Sequence, residues 1–537
     1  MTTFPRLPRR DPEVVTENNE PLATANWLPS ARVLKALAWN EGDTSTDSAV
    51  LLGWLPNTAG ERQNVGYDDD RHIVTIAGSR AGKGDGLIIP NLLTYRGSVV
   101  CIDPKGENAS VTAGYRAKVL GQTVHVLDPF RVASVPDEVR GELNPIDWID
   151  PESRDAIDDA GALADSIIVP GNQKEPHWDE SARAFIKGVL LFILAHADAG
   201  RERSLTTLRY LVTMGGLRDG ETEPSIEALL DLMLASQAFN GTIAAAAAAV
   251  ADMGPNERGS VLSTVRRNTE FLGSPDIADA LLKSTFDPAG LKTTKSGMTI
   301  YLVLPEWRMA THSRWLRMMI SLLLHKLERT ARPTEFKRPA VLVILEEFAA
   351  LGYLQSIERA AGYVAGFGVK LWSILQDLSQ LKDIYPRRWE TFVGNAGVLI
   401  AFGNADLTTQ EYLSKRIGQT EVSRFLVSSS EQRGSSETSD TWMAKLGALM
   451  EPGGKLTGFG PQSHSTSENA SINRSETLYP TALMTPDEVG RYFAREQRLV
   501  LVLVAGLQPI RVMRLSASQD DVFVQRAAAN PYHWIVI

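Results

Sequence analysis

His72–Leu93 reads HIVTIAGSRAGKGDGLIIPNLL, and the fold turns on its middle, AGSRAGKG. A phosphate-binding loop is written G-x-x-x-x-G-K-[ST], set between a strand and a helix. Gly82 and Lys83 hold their positions here, whereas the first place is Ala77 and the last is Gly84. Before the loop, HIVTIA is a short, β-rich apolar run. After it, GLIIPNLL is apolar at helical spacing, with Pro90 as a kink or stop. In such a loop successive backbone N–H groups and a helix start point at phosphates, while a lysine neutralises the outer ones. Gly82 and Gly84 allow close backbone approach, and Gly78 can turn beside Ala77. The expected nucleotide-binding residues are Ala77, Gly78, Ser79, Arg80, Ala81, Gly82, Lys83, Gly84 and Asp85. Gly84 is the weightier departure, because a Ser or Thr hydroxyl there normally binds Mg²⁺. A glycine-rich turn that happens to contain a lysine is the alternative for the loop alone.

Working outward, further strands end in polar turns. GSVVCIDPKGE carries a buried run that stops at Asp103, and QTVHVLDPF another that stops at Asp128-Pro129. GMTIYLVLP, RPAVLVILEEFAALG, GVKLWSILQDLSQL and AGVLIAFGN follow later, and RLVLVLVAGLQPIRVMRL closes the series at residues 498–515. Strands alternating with helices predict a parallel α/β sheet, whose ligands sit at the carboxyl ends of the strands. Between them, Ala182, Phe185, Ile186, Val189 and Leu190 recur at three and four with no strand, so an all-helical block is inserted into the α/β domain. The expected organisation is an arm and lead-in over 1–70, the nucleotide-binding domain over 71–177, 289–422 and 478–537, and an all-α domain over 178–288. Residues 423–477 are rich in Ser, Gly, Thr and Asn and are expected to form a long mobile loop.

VLVILEEFAALG supplies the second decisive signal. Two adjacent carboxylates, Glu346 and Glu347, at the end of a buried strand have few structural uses. In a phosphate-loop ATPase the first holds Mg²⁺ through water and the second polarises the attacking water. The first is usually Asp, and Glu346 offers the same group on a longer arm. A third strand ends at Gln376, where an amide can sense the γ-phosphate or orient water. Glu347, Glu346 and Gln376 are therefore the expected catalytic set, with ATP and Mg²⁺ as ligands.

Composition narrows the partners. The 537 residues carry a net charge of −9, which argues against a surface that is basic all over, the usual footprint of a duplex-binding protein, but leaves room for a local basic channel. Arg258, Arg266 and Arg267 in NERGSVLSTVRRNTEFLG have a spacing that could put them on one side of a helix, a candidate DNA contact. A single cysteine, Cys101, allows neither a disulfide framework nor a thiolate zinc site within one chain. No run approaches the ~20 apolar residues of a membrane span, and the N-terminal stretch has no signal-like apolar region, so it is expected to be a disordered arm.

The motifs GKGDGLIIPNLL, VVCIDPKGE, VHVLDPF, LNPIDWI, HWDESAR, TIYLVLP, LEEFAALG, LQDLSQLKDIYP and LYPTALMTPDEV run in one order from about residue 71 to 530. Together they resemble the type IV secretion coupling proteins, the TraG/TraD-like conjugative DNA-transfer ATPases. The resemblance implies a P-loop (RecA-like) domain with an inserted all-α domain, in which glycine often follows the loop lysine. It implies an ATPase that feeds relaxase-bound single-stranded DNA or effector proteins into a type IV secretion channel. It also implies a homo-hexamer with ATP between neighbours. Family members usually begin with transmembrane helices. None is found here, so either the chain belongs to a soluble branch that docks on a separate membrane-anchoring partner, or its anchor was lost or removed. The expectation is a form in the bacterial cytoplasm, peripheral at the inner membrane, and monomeric or weakly associated when isolated. The family's trans-acting arginine has no clear counterpart in GYVAGFG, and Arg359, Lys370 and Arg416 are the substitutes. A low-turnover ATP-binding adaptor and a chromosome-segregation type DNA translocase are the rival readings; DPKGE and the helical insertion argue against the second.

Overall fold

The computed structural model describes residues 25–169, 176–197, 203–217, 222–335, 338–435 and 466–532. Three strands precede the glycine-rich loop: β1 (Ala38–Trp39), β2 (Val50–Pro56) and β3 (Arg62–Tyr67). The apolar runs then form β4 (His72–Ala77), β5 (Val99–Asp103), β6 (Thr123–Leu127), β7 (Met298–Val303), β8 (Val341–Leu345), β9 (Val369–Leu375) and β10 (Ala396–Phe402). A ribbon of β11 (Gln419–Ser435) and β12 (Thr466–Ala482) follows, then β13 (Leu499–Val504) and β14 (Ile510–Met513). Twelve strands make one sheet in the order β1-β3-β2-β14-β13-β10-β4-β9-β8-β5-β7-β6. From β10 to β6 every pairing is parallel, and from β13 outward every pairing is antiparallel. The strands β4, β5, β7, β8, β9 and β10 are buried along their whole length. That is why they read as unbroken apolar runs, since helices cover both faces of a parallel sheet.

The lead-in differs from expectation. Residues 25–70 were assigned outside the α/β domain, yet β1–β3 extend its sheet. Val50, Leu51 and Leu52 are fully buried there, and Asn91 locks β2 in place by accepting from the Leu51 N–H (2.7 Å) and donating to the Leu51 carbonyl (3.0 Å). The N-terminal arm expected over the first residues lies outside the described residues as far as residue 24.

Between β6 and β7 the chain is helical. Its helices include Ala156–Ile167, Pro176–His196, Leu205–Met214, Ile226–Leu234, Thr242–Ala251 and Pro255–Asn268. The series opens at Ala156, ahead of the expected 178, because Ala160, Leu163, Ala164 and Ile167 form a buried stripe on that first helix, which packs against Pro176–His196. This segment and the sheet belong to one compact unit, Trp27–Ile417 with Thr485–Ile537. The ribbon belongs to a second, Met1–Asn26 with Gly418–Met484. Where a mobile loop was expected over 423–477, residues up to 435 and from 466 pair in antiparallel register, Gln419 opposite Ala482 through Ser435 opposite Thr466. Backbone hydrogen bonds make such a ladder whatever the side chains, so polar composition does not forbid it. The remainder of that stretch, 436–465, lies outside the described residues. Among the described residues no single helix is long and apolar enough to cross a membrane.

One buried cation holds the sheet to its covering helices. Arg116 is fully buried and donates to Thr299 Oγ1 (2.7 Å), Gln122 Oε1 (2.8 Å) and the carbonyls of Leu92 (2.5 Å), Tyr95 (3.2 Å) and Gly97 (3.0 Å). All these acceptors are neutral. Replacing Arg116 by Met strands several buried acceptors at once, so stability should fall by roughly 3–5 kcal/mol, read as a lowered urea midpoint. A loss under about 1 kcal/mol would show that the cluster relaxes and re-pairs.

Candidate functional site

The glycine-rich loop leaves β4 at Ala77 and crosses the end of β10. Gly78 donates its N–H to the Phe402 carbonyl (3.4 Å), and a Cβ on Gly78 would stand 2.1 Å from the Gly403 oxygen. Glycine is required at 78 by that approach, which is how Ala77 can occupy the place before it. Arg80 (φ 56°) and Gly82 (φ 89°) both take the left-handed conformation that folds the loop back. Lys83 opens a π-helical turn, Gly84–Ile88, that runs on into the helix Ile89–Thr94. The wide turn explains Pro90: the ring removes one helical N–H, and Ile89 bonds back to Gly84 instead. Nothing lies within 4 Å of where a Cβ on Gly84 would stand, so the mouth of the loop is open.

Two contacts of this loop were invisible in the sequence. Arg514, just past β14, donates to the Ala81 carbonyl and to that of Arg495 (3.3 Å), and its guanidinium stands 5.5 Å from the Phe402 ring centre. A Cβ on Gly86 would sit 2.7 Å from the Arg514 Cγ and Cδ, so this glycine makes room for the arginine. Asp85 needs a correction. Its carboxylate accepts from Ser516 Oγ (2.8 Å) and the Ser518 N–H (2.8 Å), so it ties the loop to the C-terminal segment and is not available as a phosphate-side group.

The carboxylates arrive from β8. Its five residues are buried, and the chain emerges at Glu346 and then kinks at Glu347, which is left-handed (φ 55°). The kink sends the two side chains to different surroundings. Glu346 Oε2 accepts from Asn108 Nδ2 (2.7 Å). Burial, then the neighbouring Asp103, push the Glu346 carboxyl up to about 8, against the pull of Asn108 and of the Lys83 ammonium. Asp103, from the DPKGE turn at the end of β5, accepts from the Ala109 N–H (2.8 Å) and is raised by burial to about 6. Glu347 faces the other way, with Oε1 receiving Gln376 Nε2 at 3.0 Å. Gln376 is itself held, its N–H donating to Gln380 Oε1 (3.0 Å). Because β9 pairs with both β4 and β8, Lys83, Gln376 and the two glutamates share the carboxyl edge of three neighbouring strands.

Among the described residues no three His, Cys, Asp or Glu side chains converge as a metal cage. The donor set still suits Mg²⁺, which takes one or two carboxylates and completes its shell with water and phosphate oxygens. Two acids raised by burial, Glu346 also by Asp103, would both be relieved by such a cation.

The basic candidates are not brought together. Arg258 pairs with Glu227 at 3.9 Å, and Arg266 Nε donates to the Val212 carbonyl (3.2 Å). At 100° per residue Arg258 and Arg267 lie half a turn apart on the helix Pro255–Asn268, so the three cannot form one face. Arg359 pairs with Glu328 (3.7 Å), and Arg416 is exposed on the helix Leu407–Ile417. Lys370 is buried at the start of β9, beside a cavity of about 1140 Å³ at the opposite end of the strands from Glu347.

A family model for the type IV secretory system conjugative DNA transfer matches residues 16–457. The conjugal transfer protein TraG of Escherichia coli is 27% identical over 438 residues, covering 77% of this chain and 65% of the relative. Protein VirD4 of Agrobacterium fabrum is 29% identical over 358 residues, covering 65% of this chain and 49% of that protein. The chain thus spans less than two thirds of either relative. Among solved structures, the bacterial conjugative coupling protein TrwBdeltaN70 in complex with sulphate aligns with a TM-score of 0.61 at 15% identity, covering 96% of this chain and 95% of the other. The plasmid coupling protein TrwB in complex with ADP and Mg²⁺ aligns at 0.59 and 14% identity, covering 91% and 93%. At such identities the likeness shows a common fold.

Proposed function

Because this chain belongs to the type IV secretory conjugative DNA-transfer family, we propose that it is an ATP-hydrolysing coupling protein that drives substrate into a type IV secretion channel. One observation carries this reading: the loop of Lys83, the pair Glu346–Glu347 and the amide of Gln376 meet at one edge of β4, β9 and β8. The loop residues 78–84 bind the phosphates through backbone N–H groups, and Lys83 neutralises the outer ones. Bound Mg²⁺ supplies further positive charge against the developing phosphoryl charge. Glu346, oriented by Asn108 and beside Asp103, is the side chain that holds the ion through water. Glu347 polarises the attacking water, and Gln376 keeps its carboxylate aimed. The TrwB complex with ADP and Mg²⁺ supports these ligands for the present fold.

The cargo in this reading is relaxase-bound single-stranded DNA, effector proteins or both. The working form is a homo-hexamer at the cytoplasmic face of the inner membrane, held by channel components. A low-turnover adaptor is the second reading, favoured by the hydroxyl that Gly84 lacks; measured ATP turnover separates the two. If DNA is the cargo, single strands raise the turnover of the assembled protein, and added salt suppresses that rise steeply through counterion release. Turnover indifferent to DNA at low salt, in protein shown to be assembled, would exclude DNA as the direct cargo.

A further inference from the structure

Past Glu347 the chain makes a short turn, Phe348–Leu351, and reverses at Gly352 (φ 61°). Its inner side is packed: Phe348 is buried against Tyr385 and Phe392, with ring centres 6.0 and 5.7 Å away. Its outer side is held by one side chain from elsewhere. Arg317, in the middle of the helix Glu306–Arg329, is 6% exposed and donates Nη1 to the Leu351 carbonyl and Nη2 to the Tyr353 carbonyl (2.9 Å). Burial pushes its guanidinium down to about 10, so it stays charged at neutral pH. Its neighbours Leu316, Met318, Met319 and Ile320 are buried and apolar, and an apolar side chain at 317 would match the interior. A buried cation bonded to two carbonyls is a costly way to fill that space. It does something an apolar residue cannot, which is to grip the backbone of the turn.

The other end of the same helix is tied to the helical segment. His325 Nε2 lies 3.2 Å from Asp159 Oδ1, and Arg329 pairs with both Asp155 and Asp159. Asp159 lies on Ala156–Ile167, the helix that packs against Pro176–His196. One helix, Glu306–Arg329, therefore touches both the helical segment and the turn that follows Glu347.

We propose that Arg317 is a positioning residue through which the placement of the helical segment sets the aim of Glu347, resting on the ATPase reading above. A shift of the helix Glu306–Arg329 pulls on the carbonyls of Leu351 and Tyr353 and so, through the short turn Phe348–Leu351, on Glu347 at its head. A movement of about 1 Å at a catalytic group costs up to ~100-fold in rate.

The test measures ATP turnover and nucleotide affinity in the full, assembled chain, with and without single-stranded DNA. Arg317→Met should lower kcat by about tenfold or more with KM and nucleotide Kd changed less than about twofold. Arg317→Lys, which keeps a buried donor, should recover most of that loss. Arg329→Ala, which removes the pairs with Asp155 and Asp159 and leaves only His325 at that end, should keep basal turnover and lose most of the substrate-stimulated rise. An unchanged kcat in Arg317→Met would overturn the proposal. So would equal loss in the Lys variant with the fold intact, or full stimulation in Arg329→Ala. Absent turnover in the wild type itself would instead overturn the ATPase reading.

Discussion

Glu347→Gln should bind ATP as the wild type does and lose turnover by about 10³-fold, within the range that a lost general base commands. The structure makes this a clean substitution. Gln376 donates Nε2 to Glu347 Oε1 at 3.0 Å, and the carbonyl oxygen of a glutamine can accept the same bond. The amide nitrogen then occupies the second oxygen's place, where it offers a donor and cannot polarise water. Backbone strain at φ 55° is unchanged, because both residues carry the same carbons through Cδ. Single-turnover hydrolysis beside equilibrium nucleotide binding checks it. Wild-type hydrolysis by the variant would mean that another group serves the water.

Lys83→Ala should abolish hydrolysis and weaken ATP binding by about 100-fold, a ~3 kcal/mol loss typical of a charge-assisted contact in a partly shielded site. Lys83 is half-buried at the head of the π-turn, and its charge already reaches Glu346. The next cation, Arg514, is no substitute, since its guanidinium is spent on the carbonyls of Ala81 and Arg495. The loop itself should keep its shape, because Gly78 against Gly403 and Asp85 against Ser516 and Ser518 do not involve the lysine. Nucleotide titration of folded Lys83→Ala reads the loss, and affinity within threefold of the wild type would remove Lys83 from the phosphates.

Much of this site could be read from the chain alone. The strands β4, β5 and β7–β10 announce themselves because burial on both faces demands continuous apolar residues, and a carboxylate pair directly after such a run stands out. Lys83, Glu346, Glu347 and Gln376 were all legible in this way. Asp103 was quoted in a motif without a role, since nothing local says that β5 lies beside β8. The strand β3 is hard to read because an antiparallel strand can carry a mixed pattern, with Arg62, Gln63 and Asn64 at its start, whereas the neighbouring β2, VLLGWLP, is an apolar run that the sequence reading missed. The ribbon β11–β12 was passed over because its ladder rests on backbone pairing that Ser, Asn and Thr neither signal nor prevent.

By itself, then, the sequence determined the parallel sheet, the phosphate loop and which acids and amides end its strands. These follow from local periodicity and from polar residues placed where an apolar run stops. Only the tertiary structure decided what each group touches. Asn108 on Glu346, Gln376 on Glu347, Arg317 on the turn behind them and Ser516 on Asp85 are contacts between residues 238, 29, 34 and 431 positions apart. Hydrogen bonds and desolvation act over a few ångströms of space, whatever the distance along the chain. Two adjacent glutamates that look alike as text therefore become a half-buried acid with a raised pKa and a clamped carboxylate once the strands lie side by side.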